Sequence, residues 1–275
     1  MHVMNRFPAR ACAVAAAGVA LSTVVVTAAS ASGGGAAAIH PGALRPAGIV
    51  AGRSGAAWPA SQDHAIDQIT AAPAKSRYVA GYQAAVTAGS ATVSAASFTV
   101  PTLSCTTKER AIAPGAGVWV NNYKTVSAAF VFTGCVNGKA VYFPGLVSNG
   151  KETDHTTTPF AAGDVIDVTT KVSTTRTKII VTDVTTGVTV QHLGVGASAD
   201  AAFIGDDAWG SSTGTEQGVP NFGKLTFTNC LIDGTALSGW HAHAYQRVNS
   251  GGTVQIATGG FWPGGTAFTT HYQHS

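Results

Sequence analysis

From Ser76 onward the chain alternates apolar and polar residues with a period of two and is rich in Val, Thr, Ile and Phe. "ATVSAASFTV", "AGVWVNN", "AAFVFTG", "KAVYFPG", "DVIDVTTKVS", "TKIIVTDVTTGVTVQHL", "GKLTFTN", "HAHAYQRV", "GTVQIATG" and "TAFTTHY" all carry it. Successive side chains of a strand point to opposite faces, so this pattern suits half-buried strands and not helices. Turn signals separate the segments: Asn137-Gly138, Asn149-Gly150, Ala162-Gly163-Asp164, Thr186-Gly187, Asp233-Gly234 and Gly251-Gly252. About ten or more short strands at this spacing predict an all-β fold, an antiparallel β-sandwich in preference to a barrel.

The N-terminal stretch sets the compartment. Arg6 and Arg10 precede the uncharged run "ACAVAAAGVALSTVVVTAASA", and Ala29-Ser30-Ala31 fits a small-residue cleavage site. This predicts a signal peptide over residues 1–31 and a secreted, extracellular protein. A membrane anchor fits less well, because the strongly apolar part is short and no basic flank follows it. Residues 32–75 are rich in Gly, Ala and Pro and read as a mobile leader or pro-segment, with room for one short helix in "SQDHAIDQITAAPAK". Residues 76–275 then form the folded domain, long enough for a real core.

Composition narrows the partners. The whole chain carries a formal net charge of +3, but from Ser76 onward 11 Lys and Arg balance 11 Asp and Glu. Nucleic acid is therefore a poor partner, since phosphate binding needs a basic footprint. Nothing after the signal is apolar enough to span a bilayer. A monomer without membrane attachment is expected. Cys105, Cys135 and Cys230 remain once the signal has left, which in an oxidising compartment suggests one disulfide and one spare thiol.

Few groups offer chemistry. His241 and His243 share one face of a strand, but a catalytic zinc site usually takes a third ligand, and neither His271 nor His274 can be placed beside them from sequence; no metal or other cofactor is expected. No G-x-S-x-G elbow occurs, and Cys230 reads as a buried strand cysteine. Trp119, Tyr123, Phe143, Trp209, Trp240 and Trp262 are core residues or the lining of a groove for sugar or peptide. The best acid/base candidate is the pair Asp206-Asp207 in "AAFIGDDAWG". A carboxylate beside apolar Phe203 and Ile204 can be pushed up in pKa and act as a general base on water. The plainer alternative is two loop acids that cap a turn.

Read in order, these pieces resemble the glutamic peptidase family, the eqolisins, in their bacterial secreted branch. "SRYVAGY" is similar to the family's Ser-Asn-Trp-Ala-Gly-Tyr, "TVSAASFTVP" to Val-Ser-Gly-x-Trp-x-Val-Pro, and "VWVNN" to Trp-Val-Gly-Ile/Leu-Asp. "FTGCVNGKAVY" resembles Gln-Thr-Gly followed by Cys-x-Asn-Gly-x-x-x-Tyr. "FAAGDVIDVTTKV", "VTDVTTGVTV" and "NFGKLTFTN" resemble Pro-Gly-Asp-x-Ile, Asn-x-Thr-Thr-Gly and Phe-Gly-x-Val-x-Phe-Thr-Asn. The resemblance spans Ser76 to Tyr272. It implies a concanavalin-like sandwich of two curved sheets with a cleft, acid endopeptidase activity, and a Cys105–Cys135 disulfide.

The resemblance also implies a damaged site. The family's general-base glutamate lies at the second Glu of a run like Ala-Glu-Trp-Ile-Val-Glu-Asp, which puts Asp206 at the catalytic position and Asp207 after it. The family's glutamine, which binds the water and the oxyanion, is Phe132 here. The family's acidic Tyr-Glu-Trp strand is replaced by "YFPGLV". Glu to Asp withdraws the carboxylate by roughly 1.5 Å, and loss of an oxyanion donor costs about 100- to 1000-fold. Gln83 and Gln217 are the amides that could substitute. Trp119, Asp207 and Tyr142 are expected to line the cleft, with Asp206 facing Phe132 across it. The expected ligand is extended polypeptide, or glycan, held with weak or lost hydrolysis; the alternative is a non-catalytic extracellular binding sandwich.

Overall fold

A computed structural model describes residues 44–46, 72–108, 110–211 and 218–273. The strands are β1 (Leu44–Pro46), β2 (Ala74–Ser76), β3 (Val79–Ala85), β4 (Thr92–Thr99), β5 (Arg110–Val120), β6 (Thr125–Val136), β7 (Lys139–Ser148), β8 (Lys151–Asp154) and β9 (Val165–Val172). They continue as β10 (Arg176–Asp183), β11 (Val188–Val195), β12 (Ala199–Ser211), β13 (Lys224–Ile232), β14 (Thr235–Ala236), β15 (His243–Val248), β16 (Val254–Thr258) and β17 (Phe268–Tyr272). A single 3₁₀ turn, Leu237–Trp240, interrupts them among the described residues.

Hydrogen bonding links these strands in the order β11-β10-β9-β4-β13-β17-β16-β15-β3-β12-β5-β6-β7-β8, antiparallel throughout. The ladder folds back at β15 and β16, so that β4, β9 and β10 pack over β5, β6 and β7. The all-β antiparallel sandwich expected from period-two alternation is thus the observed architecture. The candidate helix in residues 61–75 falls largely outside the described residues.

Each strand divides its residues between two faces. Ala202 and Ile204 of β12, Ala129 and Val131 of β6, and Ile112 and Ala116 of β5 join the cluster between the two layers. Their neighbours Phe203, Phe130, Phe132 and Ala113 join a second cluster on the far face of the β15-to-β8 layer. Aromatic rings there lie over glycines: a Cβ on Gly117 of β5 would meet the Phe203 ring of β12, one on Gly145 of β7 the Phe130 ring of β6, and one on Gly134 the ring of Phe132, two residues before it on β6. Glycine at Gly117 and Gly145 lets a flat ring cross the neighbouring backbone.

Gly81 shows how tight the layer is. It pairs with Gly205 across β3 and β12, and its φ is +139°. A Cβ there would fall on the Ile204 carbonyl oxygen. Gly81→Ala should therefore destabilise by about 1–3 kcal/mol through backbone strain, read as a lowered urea midpoint. A change under about 0.5 kcal/mol, typical of a neutral surface site, would show that the two strands can separate freely.

Within the stretch read as a mobile leader or pro-segment, Leu44–Pro46 forms β1 and pairs with Trp209–Ser211 at the end of β12. A composition unable to bury much apolar surface still carries backbone donors and acceptors, and an unfilled strand end can pair with them. The remainder of residues 1–71, signal segment included, lies outside the described residues.

Candidate active site

The two carboxylates singled out in the sequence sit near the end of β12, level with Ala80 and Val79 of β3 and with Pro114 and Ala113 of β5. They are strand residues and not turn-capping acids. Alternation sends them to opposite faces. Asp206 continues the series Ala202, Ile204 and points between the layers, with no exposed surface. Asp207 continues the series of Phe203 on the far face and is nearly buried.

Asp206 is met from the opposite layer. Thr270 of β17, also fully buried, donates from Oγ1 to Asp206 Oδ2 at 2.6 Å. Oδ1 has no hydrogen-bond partner among the described residues. Burial pushes the Asp206 carboxyl up to about 7, against the lowering effects of the Thr270 hydrogen bond and the Arg247 charge. Desolvation dominates because a carboxylate ion loses far more hydration than a neutral carboxyl group. Arg247 of β15 is itself without exposed surface. Sequence reading found neither Thr270 nor Arg247. An arginine in "HAYQRV" carries no signal that it turns inward.

Phe132 lies on the other side of the layer. It stacks on Phe143 with ring centroids 4.5 Å apart and planes 11° from parallel, and it has no exposed surface. The expectation that Asp206 and Phe132 face each other across one cleft is therefore overturned: the β12–β5–β6 layer separates them. The registers Ala113–Asp207 and Ile112–Thr133 instead bring Asp207 to the level of Phe132 on the far face, two strands away. Trp119 packs on that face beside Phe203. Tyr142 does not join it; it packs against the inter-layer cluster.

Other candidates resolve in turn. Gln83, opposite Phe203 on β3, has a buried Oε1 with no hydrogen-bond partner among the described residues and lies three residues from Ala80, the Asp206 neighbour. Its strand position puts it on the Phe203 face. Gln217 and His274 lie outside the described residues. Among the described residues no three His, Cys, Asp or Glu side chains gather as a metal site. Cys230 is a buried free thiol that burial pushes up to about 12, which leaves almost no thiolate at neutral pH. Cys105 and Cys135 form a disulfide, as the resemblance implied. A small cavity of ≈ 10 Å³ lies along the Gly81–Gly205 pair, lined by Val79, Phe203 and Tyr245 among others.

The arrangement of strands and of these residues can now be set beside known proteins. The model of the peptidase A4 family matches residues 77–266. The chain belongs to the peptidase A4 family. Among solved structures it is similar to scytalido-glutamic peptidase bound to a transition-state analogue inhibitor, at 17% identity and a TM-score of 0.56, covering 71% of this chain and 100% of that one. It is also similar to SCP-B, an eqolisin family member solved with the tripeptide Ala-Ile-His, at 18% identity and a TM-score of 0.53, again over 71% of this chain and 100% of that one. At such identities these likenesses establish the shared fold. Nothing among curated proteins matches the chain. In this A4 family member Asp206, which the sequence resemblance set at the family's base position, is buried between the layers.

Proposed function

We propose that this A4 family protein is secreted and holds extended polypeptide on the far face of its β15-to-β8 layer, with acid endopeptidase activity weak or lost. The observation that carries this reading is that Asp206 and Phe132 point to opposite sides of one layer. A general base must lie within hydrogen-bond reach of the water it activates, and the oxyanion donor must meet the same tetrahedral centre. Asp206, enclosed between layers and bonded to Thr270, meets no substrate, and Phe132 has no donor to offer. On that face the half-buried rings of Trp119 and Phe143, packed over the buried Phe130, Phe132 and Phe203, supply instead groups suited to stacking and apolar contact. Secretion is supported by the N-terminal signal pattern and by the disulfide, which persists in oxidising compartments. A second reading rests on Asp207, which shares the Phe132 face: residual hydrolysis would run through Asp207.

The test is hydrolysis of unfolded casein from pH 2 to 8 by mature protein, Asp206→Asn and Asp207→Asn. Wild-type turnover is expected well below the ordinary enzymatic range of about 1–1000 per second, and Asp206→Asn should leave it unchanged. Loss of a slow residual rate in Asp207→Asn would favour the second reading. A rate within the ordinary range that vanishes in Asp206→Asn would overturn both.

A further inference from the structure

The two ends of the hydrogen-bonded ladder are unlike. At one end β8 is four residues long and reads "KETD", so charge and brevity protect its open edge. At the other, β11 has eight residues, "VTVQHLGV", with no Lys, Arg, Asp, Glu or Pro. Among the described residues it pairs with β10 alone. Its inward side is already used, because Val190 packs on the core cluster and a Cβ on Gly194 would meet Ser148 of β7. Of six exposed large apolar residues among those described, five lie here: Val165, Val184, Val188, Leu193 and Val195.

Their placement is symmetric along the strand. Val188, with Val184 in the turn before it and Val165 bonded to Val184, marks one end. Leu193 and Val195, the latter 75% exposed, mark the other. Charges on the neighbouring strands divide the same way. Arg176 and Lys178 lie opposite Val195 and Leu193, whereas Asp167 lies opposite Thr182, which pairs with Thr189 near the Val188 end.

We infer that the β11 edge pairs with the β11 edge of a second copy, antiparallel about a two-fold axis near Gln191 and His192. That operation sets the Val184–Val188 end of one copy beside the Leu193–Val195 end of the other. It also brings the basic end of each copy towards the acidic end of its partner. The strand's lack of charge means that it does not repel itself, and the new ladder satisfies an otherwise open row of backbone donors and acceptors. The monomer expected from sequence is the opposing outcome of the test below.

The test is the mass of the full mature chain in solution, by light scattering across 1–100 μM (roughly the range in which weak dimers form). Wild-type protein is expected to approach twice the monomer mass. Leu193→Lys and Val195→Lys, both on exposed positions, should shift the midpoint at least about 10-fold towards monomer while circular dichroism stays unchanged. Gln191→Cys should form an intermolecular disulfide on mild oxidation, since the axis brings the two copies of this position close. Cys230, being buried, does not compete. A wild-type monomer at the highest concentration overturns the inference, as it would if the leader segment covered the edge. So does a dimer that survives both lysine variants, or an assembly larger than two copies.

Discussion

Asp206→Asn should make the protein more stable at neutral pH, by about 4 kcal/mol at pH 8, and nearly unchanged at pH 4. Burial pushes the folded-state carboxyl up to about 7 from its ordinary value of 3.8. The folded protein therefore holds a proton that the unfolded chain has released throughout the interval between these values. Stability is fully present below about pH 4 and is lost as pH rises through 7, levelling off above it. Each unit of difference corresponds to about 1.4 kcal/mol, which gives the magnitude. Asparagine is close in shape to the protonated acid and keeps an oxygen to accept from Thr270, so the variant should hold the acid-state stability across the whole interval. Urea denaturation at pH 4, 5.5, 7 and 8 checks it. A wild-type curve that rises between pH 4 and 7, or an Asn variant less stable than wild type at pH 8, would show that the carboxylate is well solvated or firmly paired with Arg247.

How much of this was legible in the sequence depends on which scale a feature lives. Strands follow from local alternation, so β4 to β7, β9 to β11, β13 and β15 to β17 could be placed from short segments, whereas β12, which carries Asp206, was not among them. The turns at Asn137-Gly138 and Asn149-Gly150 likewise follow from residue chemistry, and Asn137 and Asn149 adopt positive φ there. Alternation also separates Asp206 from Asp207 within β12. It gives no common origin between strands. Whether Phe132 shares a face with Asp206 or with Asp207 depends on the registers of β12 on β5 and of β5 on β6, which are long-range quantities. A slip of one residue in either would exchange the answer. Thr270 and Arg247 were missed for the same reason, since they reach Asp206 through the packing of one layer on the other. β1 was missed because its pairing uses backbone groups alone, and composition is silent about those.

Removing the disulfide should cost about 3–4 kcal/mol. Cys105 precedes β5 and Cys135 closes β6, with a separation of 30 residues. In the chain-entropy account, a bridge over a loop of that length removes about that much freedom from the unfolded chain. The native framework should survive without it. Cys135 stands opposite Arg110 in a ladder that runs the length of β5 and β6, and Ser104 beside Cys105 pairs with Asn221, so both ends are held by other bonds. The loss should therefore appear in the free energy of unfolding while native circular dichroism stays the same. Two preparations separate entropy from packing: wild-type protein reduced under native conditions, and Cys105→Ala with Cys135→Ala. Reduction keeps both sulfurs in place, whereas the double variant also empties a little of the core around the buried Cys135. The variant should thus lie at or slightly below the reduced protein. Cys230 should not confuse the comparison, because a thiol pushed up to about 12 exchanges slowly at neutral pH. A loss under about 1 kcal/mol in both preparations would mean that the unfolded chain already holds β5 and β6 together as a hairpin. A loss in the double variant alone would assign the effect to core volume and not to the crosslink.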